Sequence, residues 1–201
     1  MKNKVIPLIA GLVVSCAYTD THAQEHKETI NKEFTIQQDA SGSTLAVYNF
    51  FGSVKVEGYA GDKVIFKVDK TLSAKNNTDL ETGRNELRLD FIQHEDSIIA
   101  FITEPFDSRP NTKWNNQGYH RDLEYEFKLD FTVMVPFDIN LQVITINEGD
   151  TLVQDVSGDL RVQNVNGSVI LDKVKGNTDA GTVNGNITVN YLSNPHGQSS
   201  Y

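Results

Sequence analysis

Cysteine is nearly missing from this 201-residue chain: Cys16 is the only one. Beyond the first two dozen residues there is none, which excludes disulfides, thiolate catalysis and Cys-ligated metal from the rest. Basic side chains are also scarce. Eighteen Lys plus Arg face 27 Asp plus Glu, and the net charge of −9 has the wrong sign for gripping phosphate backbones, so nucleic acid is excluded as an expected partner. No apolar run approaches the roughly twenty residues that a membrane-spanning helix needs. What is present, 38% apolar and 22% charged residues, suffices for one folded domain, expected over residues 25–201.

The chain opens with Lys2 and Lys4, an uncharged run from Val5 to Val14, and a polar stretch beginning near Tyr18. This is the pattern of an export signal over residues 1–24. Two processing routes fit it. Thr21-His22-Ala23-Gln24 offers a signal-peptidase site, and Val13-Val14-Ser15-Cys16 has the form of a lipobox with Cys16 as the lipidated residue. Either route takes the protein out of a bacterial cytoplasm, to the periplasm, the outer membrane and cell surface, or the medium. A membrane would be touched only through that lipid.

The strongest internal signal is a repeat. Glycines stand at 149, 158, 167, 176 and 185, nine residues apart, and the fourth position after each is apolar: Val153, Val162, Leu171, Ala180 and Val189. So is the seventh: Val156, Val165, Val174, Val183 and Leu192. The first position is short and polar, from Asp150 and Asp159 to Asn186, which suits a corner. Gly52 and Gly61 repeat the phase earlier in the chain. Each unit reads as a short strand plus a turn, too small to bury its own apolar face, so units must stack. The expected class is all-β, a β-solenoid resembling a parallel β-helix, with nine-residue half-turns and eighteen residues per turn. Asn166-Gly167 and Asn184-Gly185 also permit a meander of antiparallel hairpins. Calcium binding of the nonapeptide-roll kind is excluded, because no G-G-x-G-x-D run occurs between Gly149 and Ser193. The Asp150 and Asp159 column reads as a solvated turn ladder.

Regular repeats are expected over 146–193 and an irregular β insertion over 70–145. Within the insertion, Leu123, Tyr125, Phe127, Leu129, Phe131, Val133 and Val135 alternate with polar residues as one long half-buried strand, ended by Pro136. Leu87, Leu89 and Phe91 alternate likewise, His94-Glu95-Asp96 turns the chain, and Ile98 to Ile102 returns. No helix is expected. Residues 104–121 have no period and hold two prolines, which predicts a long loop. That loop carries Arg109, Trp114, Tyr119, His120 and Arg121, residue types that stack on sugars or grip a protein, and these five form the expected ligand-binding set. The competing reading has Trp114 capping an open solenoid end.

Leu45-Ala46-Val47-Tyr48-Asn49, Gly52-Ser53-Val54-Lys55-Val56-Glu57-Gly58, Val135-Pro136 ahead of the repeats, and Asn184-Gly185-Asn186-Ile187-Thr188-Val189 resemble the exported bacterial β-strand-repeat family of candidate adhesins, a family of unknown function. The resemblance spans about residues 34–201. It implies a β-solenoid at the cell envelope and transfers no catalytic residue. Relatives continue with further repeats, which implies that the last rung here, after Pro195-His196-Gly197, is incomplete.

Chemistry is harder to find. His22, His26, His94, His120 and His196 are not spaced as metal ligands or triad members, and no Gly-rich phosphate loop occurs. Glu124 and Glu126 share a strand face, but an alternating charged strand is ordinarily a solvated one. The expectation is therefore a non-catalytic adhesin-like module without cofactor or metal, binding an envelope or extracellular protein or a glycan. Two other readings stay open: an envelope scaffold for another protein, and, more remotely, a carbohydrate-active β-helix enzyme.

Overall fold

A computed structural model describes residues 23–110, 122–193, 197 and 199–201. Residues 1–22 of the expected export signal, Cys16 among them, and the greater part of the predicted loop lie outside them.

In chain order the strands are β1 (Gln24–Thr35), β2 (Thr44–Phe51), β3 (Val54–Tyr59) and β4 (Lys63–Ala74). A helix, α1 (Asn77–Glu86), precedes β5 (Arg88–Gln93), β6 (Ser97–Glu104), β7 (Tyr125–Pro136) and β8 (Asn140–Asn147). Then come β9 (Thr151–Gln154), β10 (Leu160–Asn166), β11 (Val169–Val174), β12 (Thr178–Asn184) and β13 (Ile187–Tyr191). They form a seven-stranded sheet ordered β1-β4-β7-β3-β9-β11-β13 and a six-stranded sheet ordered β12-β10-β8-β2-β6-β5.

Both sheets are mixed, and this overturns the expected β-solenoid. In the seven-stranded sheet β4 runs antiparallel to both β1 and β7, and in the six-stranded sheet β5 runs antiparallel to β6. A parallel β-helix has no place for such pairings. The physical reason is strand length. The twelve-residue strands β1, β4 and β7 are too long for a nine-residue half-turn, so they leave the repeat and zip against each other. The hairpin meander fails as well. The Asn166-Gly167 turn joins β10 to β11, which belong to different sheets.

The repeat itself is a register of parallel strands. Leu160 pairs with Thr178 and Val169 with Ile187, each eighteen residues on. The glycine column lets successive corners touch: a Cβ on Gly176 would collide with the carbonyl oxygen of Gly158. The Asp column is a turn ladder. Asp150 accepts from the Ser168 N–H at 2.7 Å and Asp159 from the Asn177 N–H at 2.9 Å.

Between the sheets lies one continuous apolar core, with Phe66, Phe131, Leu45 and Leu129 fully buried. Alternation puts Val64, Phe66, Val68 and Leu72 of β4 inward. Phe34, Phe66 and Phe91 meet at centroid distances of 5.0 to 6.0 Å and join β1 and β4 to β5 of the other sheet.

The helix α1 was not expected. Asn76 caps it, its side-chain oxygen accepting from the Asp79 N–H at 3.0 Å. Only Leu80 and Gly83 are buried, so its apolar stripe is too narrow to register as helical periodicity.

Candidate binding site

Where β2 ends and β7 begins, aromatic side chains converge. Phe50 and Phe51 close β2, Tyr125 and Phe127 open the inner face of β7, and Phe106 arrives from the segment after β6. Phe51 meets Phe127 edge-on at 5.1 Å, and Phe50 meets Phe106 edge-on at 6.4 Å. The Tyr125 hydroxyl donates to Glu86 at 2.9 Å, tying the cleft wall to the end of α1. Together with Leu123, these rings bound a cleft of about 380 Å³ with Glu126, Asn147 and Glu148 as its polar lining. That is within the usual size and character of a small-ligand site, a mainly apolar cavity with a few polar groups.

The predicted loop begins and returns at this cleft, with Phe106 on one side and Leu123 on the other. Of the five expected binding residues, Trp114, Tyr119, His120 and Arg121 lie outside the described residues. Arg109 is described, and it points elsewhere. Its guanidinium clasps Asp107 with two short bonds, Nε to Oδ1 at 3.0 Å and Nη2 to Oδ2 at 2.6 Å. It also stands 4.0 Å from the ring centroid of Phe101, on the outer face of the six-stranded sheet. Burial pushes the Asp107 carboxyl up, but the hydrogen bonds and charge of Arg109 outweigh it and hold the group below its ordinary value. Ser108 anchors the same segment: its hydroxyl donates to the Tyr48 carbonyl at 2.9 Å and accepts from the Ile102 N–H at 2.8 Å. Arg109 thus stands outside the lining of the cleft.

The sequence places Tyr125 and Phe127 on the apolar face of a half-buried strand and does not single out the aromatic set as a site. One signal was available. Phe50-Phe51 puts two rings on consecutive strand residues, which strict alternation would send to opposite faces, immediately before a turn glycine.

Elsewhere, a broader polar depression of about 760 Å³ crosses β2, β8, β10 and β12, with Arg161 near Asp179 at 3.7 Å. Glu126 is exposed and Glu124 lies just ahead of β7, both lining a smaller depression beside Lys75. Among the described residues no group of three His, Cys, Asp or Glu could hold a metal ion, and no helix is long and apolar enough to cross a membrane.

No protein-family model and no curated protein matches the chain. Among solved structures, a candidate cell adhesion protein from Clostridium sporogenes aligns over 77% of this chain and 72% of its own, at 11% identity and a TM-score of 0.36. At that level of similarity it assigns neither fold nor function, and the adhesin-family likeness of the sequence stays a resemblance.

Proposed function

We propose that this chain is an exported, adhesin-like recognition module of the cell envelope that works by binding rather than by catalysis, and that its contact site is the aromatic cleft. The observation that carries this reading is the convergence of Phe50, Phe51, Phe106, Tyr125 and Phe127 around a cleft of about 380 Å³ at the root of the 104–121 segment. Phe51 and Phe106, half-buried where Phe50, Tyr125 and Phe127 are buried beneath them, are the rings that would present flat apolar surface at low entropic cost, suited to a sugar face or to an apolar side chain of an extracellular protein. The export-signal pattern of residues 1–24 supports the location.

The test is binding of the purified protein, beside Phe106→Ala and Phe51→Ala variants checked for folding by circular dichroism, to panels of glycans and extracellular proteins. Binding lost in the variants supports the reading. Binding that survives both moves the site away from the cleft. No binding by any form favours an envelope scaffold, and release of reducing ends from a polysaccharide would overturn the non-catalytic reading.

A further inference from the structure

Three neighbouring strands of the six-stranded sheet close on the same residue type: Asn147 ends β8, Asn166 ends β10 and Asn184 ends β12. The parallel register brings these ends side by side, with Asn166 opposite Asn184. Their side chains form a ladder that runs in one direction. The Asn184 Nδ2 donates to the Asn166 Oδ1 at 2.7 Å, and the Asn166 Nδ2 donates in turn to the Asn147 Oδ1. A primary amide has one acceptor oxygen and one nitrogen with two donors. Asn147 stands at the end of the ladder with its oxygen engaged, and among the described residues nothing accepts from its nitrogen.

The ladder ends at the aromatic cleft. Asn147 is one of the lining residues, and in the strand register it lies directly opposite Phe51 of β2. Both are half-buried. Residues paired across adjacent strands stand side by side on one face, so a flat apolar ring adjoins an amide whose oxygen is fixed and whose donors are unspent. Glu148, the next residue, lines the cleft as well, and an ionised carboxylate only accepts.

An occupant that matches this lining needs a flat apolar face, an acceptor for Asn147 and a donor for Glu148. Hydroxyl groups take both roles, and a pyranose carries several of them around the rim of a C–H face. An apolar protein side chain would cover the amide and the carboxylate without pairing them, which costs free energy. An anion would meet Glu148 with no Lys, Arg or His among the described lining residues to offset it.

We propose that the cleft takes a neutral saccharide stacked on Phe51, that Asn147 donates to one of its oxygens, and that Asn166 is the positioning residue that keeps the donor side of the Asn147 amide toward the ligand. This inference rests on the cleft being the contact site, and it names the class of ligand held there.

The experiment is titration of the purified protein with cellohexaose and chitohexaose, followed by calorimetry and by the side-chain amide resonances of Asn147 in NMR spectra. At least one of the two should bind and shift those resonances. Asn147→Ala should weaken binding about tenfold, the loss of one hydrogen bond. Asn166 is exposed and not a lining residue, so Asn166→Asp leaves the cleft walls as they are. It keeps the acceptor for Asn184 and replaces the donor to Asn147 by a second acceptor. The Asn147 amide then turns over and shows its oxygen to the ligand, and binding should fall as far as in Asn147→Ala, with an unchanged circular dichroism spectrum. Saccharide binding that is lost in Phe51→Ala but indifferent to Asn147→Ala and Asn166→Asp keeps the cleft as the contact site and overturns the role of the amide. Tighter binding of hexagalacturonate than of either neutral hexasaccharide, or no binding of either at millimolar concentration, overturns the neutral saccharide. Binding that survives Phe51→Ala as well overturns the cleft reading itself.

Discussion

The side-chain amide of Asn49 donates to the main-chain carbonyl of Leu129, eighty residues away, at 2.9 Å. Asn49 is buried, and the same amide lies 3.2 and 3.3 Å from the carbonyls of Phe51 and Gly52. It stands at the head of a polar row through the six-stranded sheet, Asn49, Thr145, Asn164 and Thr182, set by the strand register. Asn164 donates to the Gly149 carbonyl at 2.9 Å and Thr182 to the Gly167 carbonyl at 2.8 Å. The row thus satisfies carbonyls that the turns between the sheets would otherwise bury unpaired. Asn49→Ala should destabilise the protein by about 1–3 kcal/mol, the cost of a stranded buried acceptor. Urea unfolding measures it, and an unchanged midpoint would show that the row is ornamental.

Gly52 sets the corner that Asn49 holds. Its φ is 114°, outside what an L side chain adopts easily, and a Cβ there would collide with the Leu129 carbonyl oxygen. Gly52→Ala should therefore cost about 2 kcal/mol or more. Gly42, with no atom within 4 Å of an added Cβ, is the control. Gly42→Ala should stay within about 0.5 kcal/mol of the parent. Thermal unfolding of both variants separates a strained corner from a general dislike of alanine.

How far these features could be read from the sequence depends on their period. Two-residue alternation located β7 and the β5–β6 pair, because one face of each must be apolar over six residues or more. The nine-residue columns gave the parallel register of the C-terminal strands, yet they invited extension of one architecture over the entire chain. Nothing periodic marks the antiparallel zipping of β1 with β4, since pairing is a contact between residues such as Gln24 and Ala74, fifty positions apart. α1 hid because Leu80 is its sole large buried side chain, although the Asn76 cap three residues before Asp79 was a legible start signal. The cleft escaped because its rings come from three separate segments, and only tertiary packing brings Phe106 to Phe50.

Acid should loosen the joint between β3 and β7. The Asp130 carboxylate accepts from the Ser53 hydroxyl at 2.6 Å and the Ser53 N–H at 2.9 Å. Burial pushes its pKa up, but those two bonds and Lys128 at 2.9 Å outweigh burial and hold it below the ordinary 3.8. With the folded value lower than the unfolded one, the contribution is complete above about pH 3.8 and disappears as pH falls through the folded value. Asp130→Asn keeps an acceptor for Ser53 and removes the titration. Its stability should fall less steeply than the parent's below pH 4, as followed by urea midpoints across that range. Parallel curves for the two proteins would assign the acid sensitivity to other groups.

Lys70 occupies an inward position of β4, where Phe66 and Leu72 precede and follow it on the same face. Its side chain is 8% exposed, and its ammonium reaches Glu28 of β1 at 3.1 Å and the Leu87 carbonyl at 3.4 Å. The hydrogen bond from Lys70 holds the Glu28 carboxyl below its ordinary value. The two partners are not equivalent, because Glu28 is 43% exposed and water can solvate it alone, whereas Lys70 cannot be solvated where it stands. Removing the carboxylate strands a buried cation, and removing the cation frees a half-solvated carboxylate. Glu28→Gln should accordingly cost about 1–2 kcal/mol after allowance for solvent screening at Glu28. Lys70→Met, which fills the same core position with an apolar chain of similar length, should fall within about 1 kcal/mol of the parent in either direction. Chemical unfolding of both variants and of the double variant decides the matter. If Lys70→Met proves the more damaging, the pair contributes through the lysine's own contacts, and the carboxylate on the edge strand is incidental.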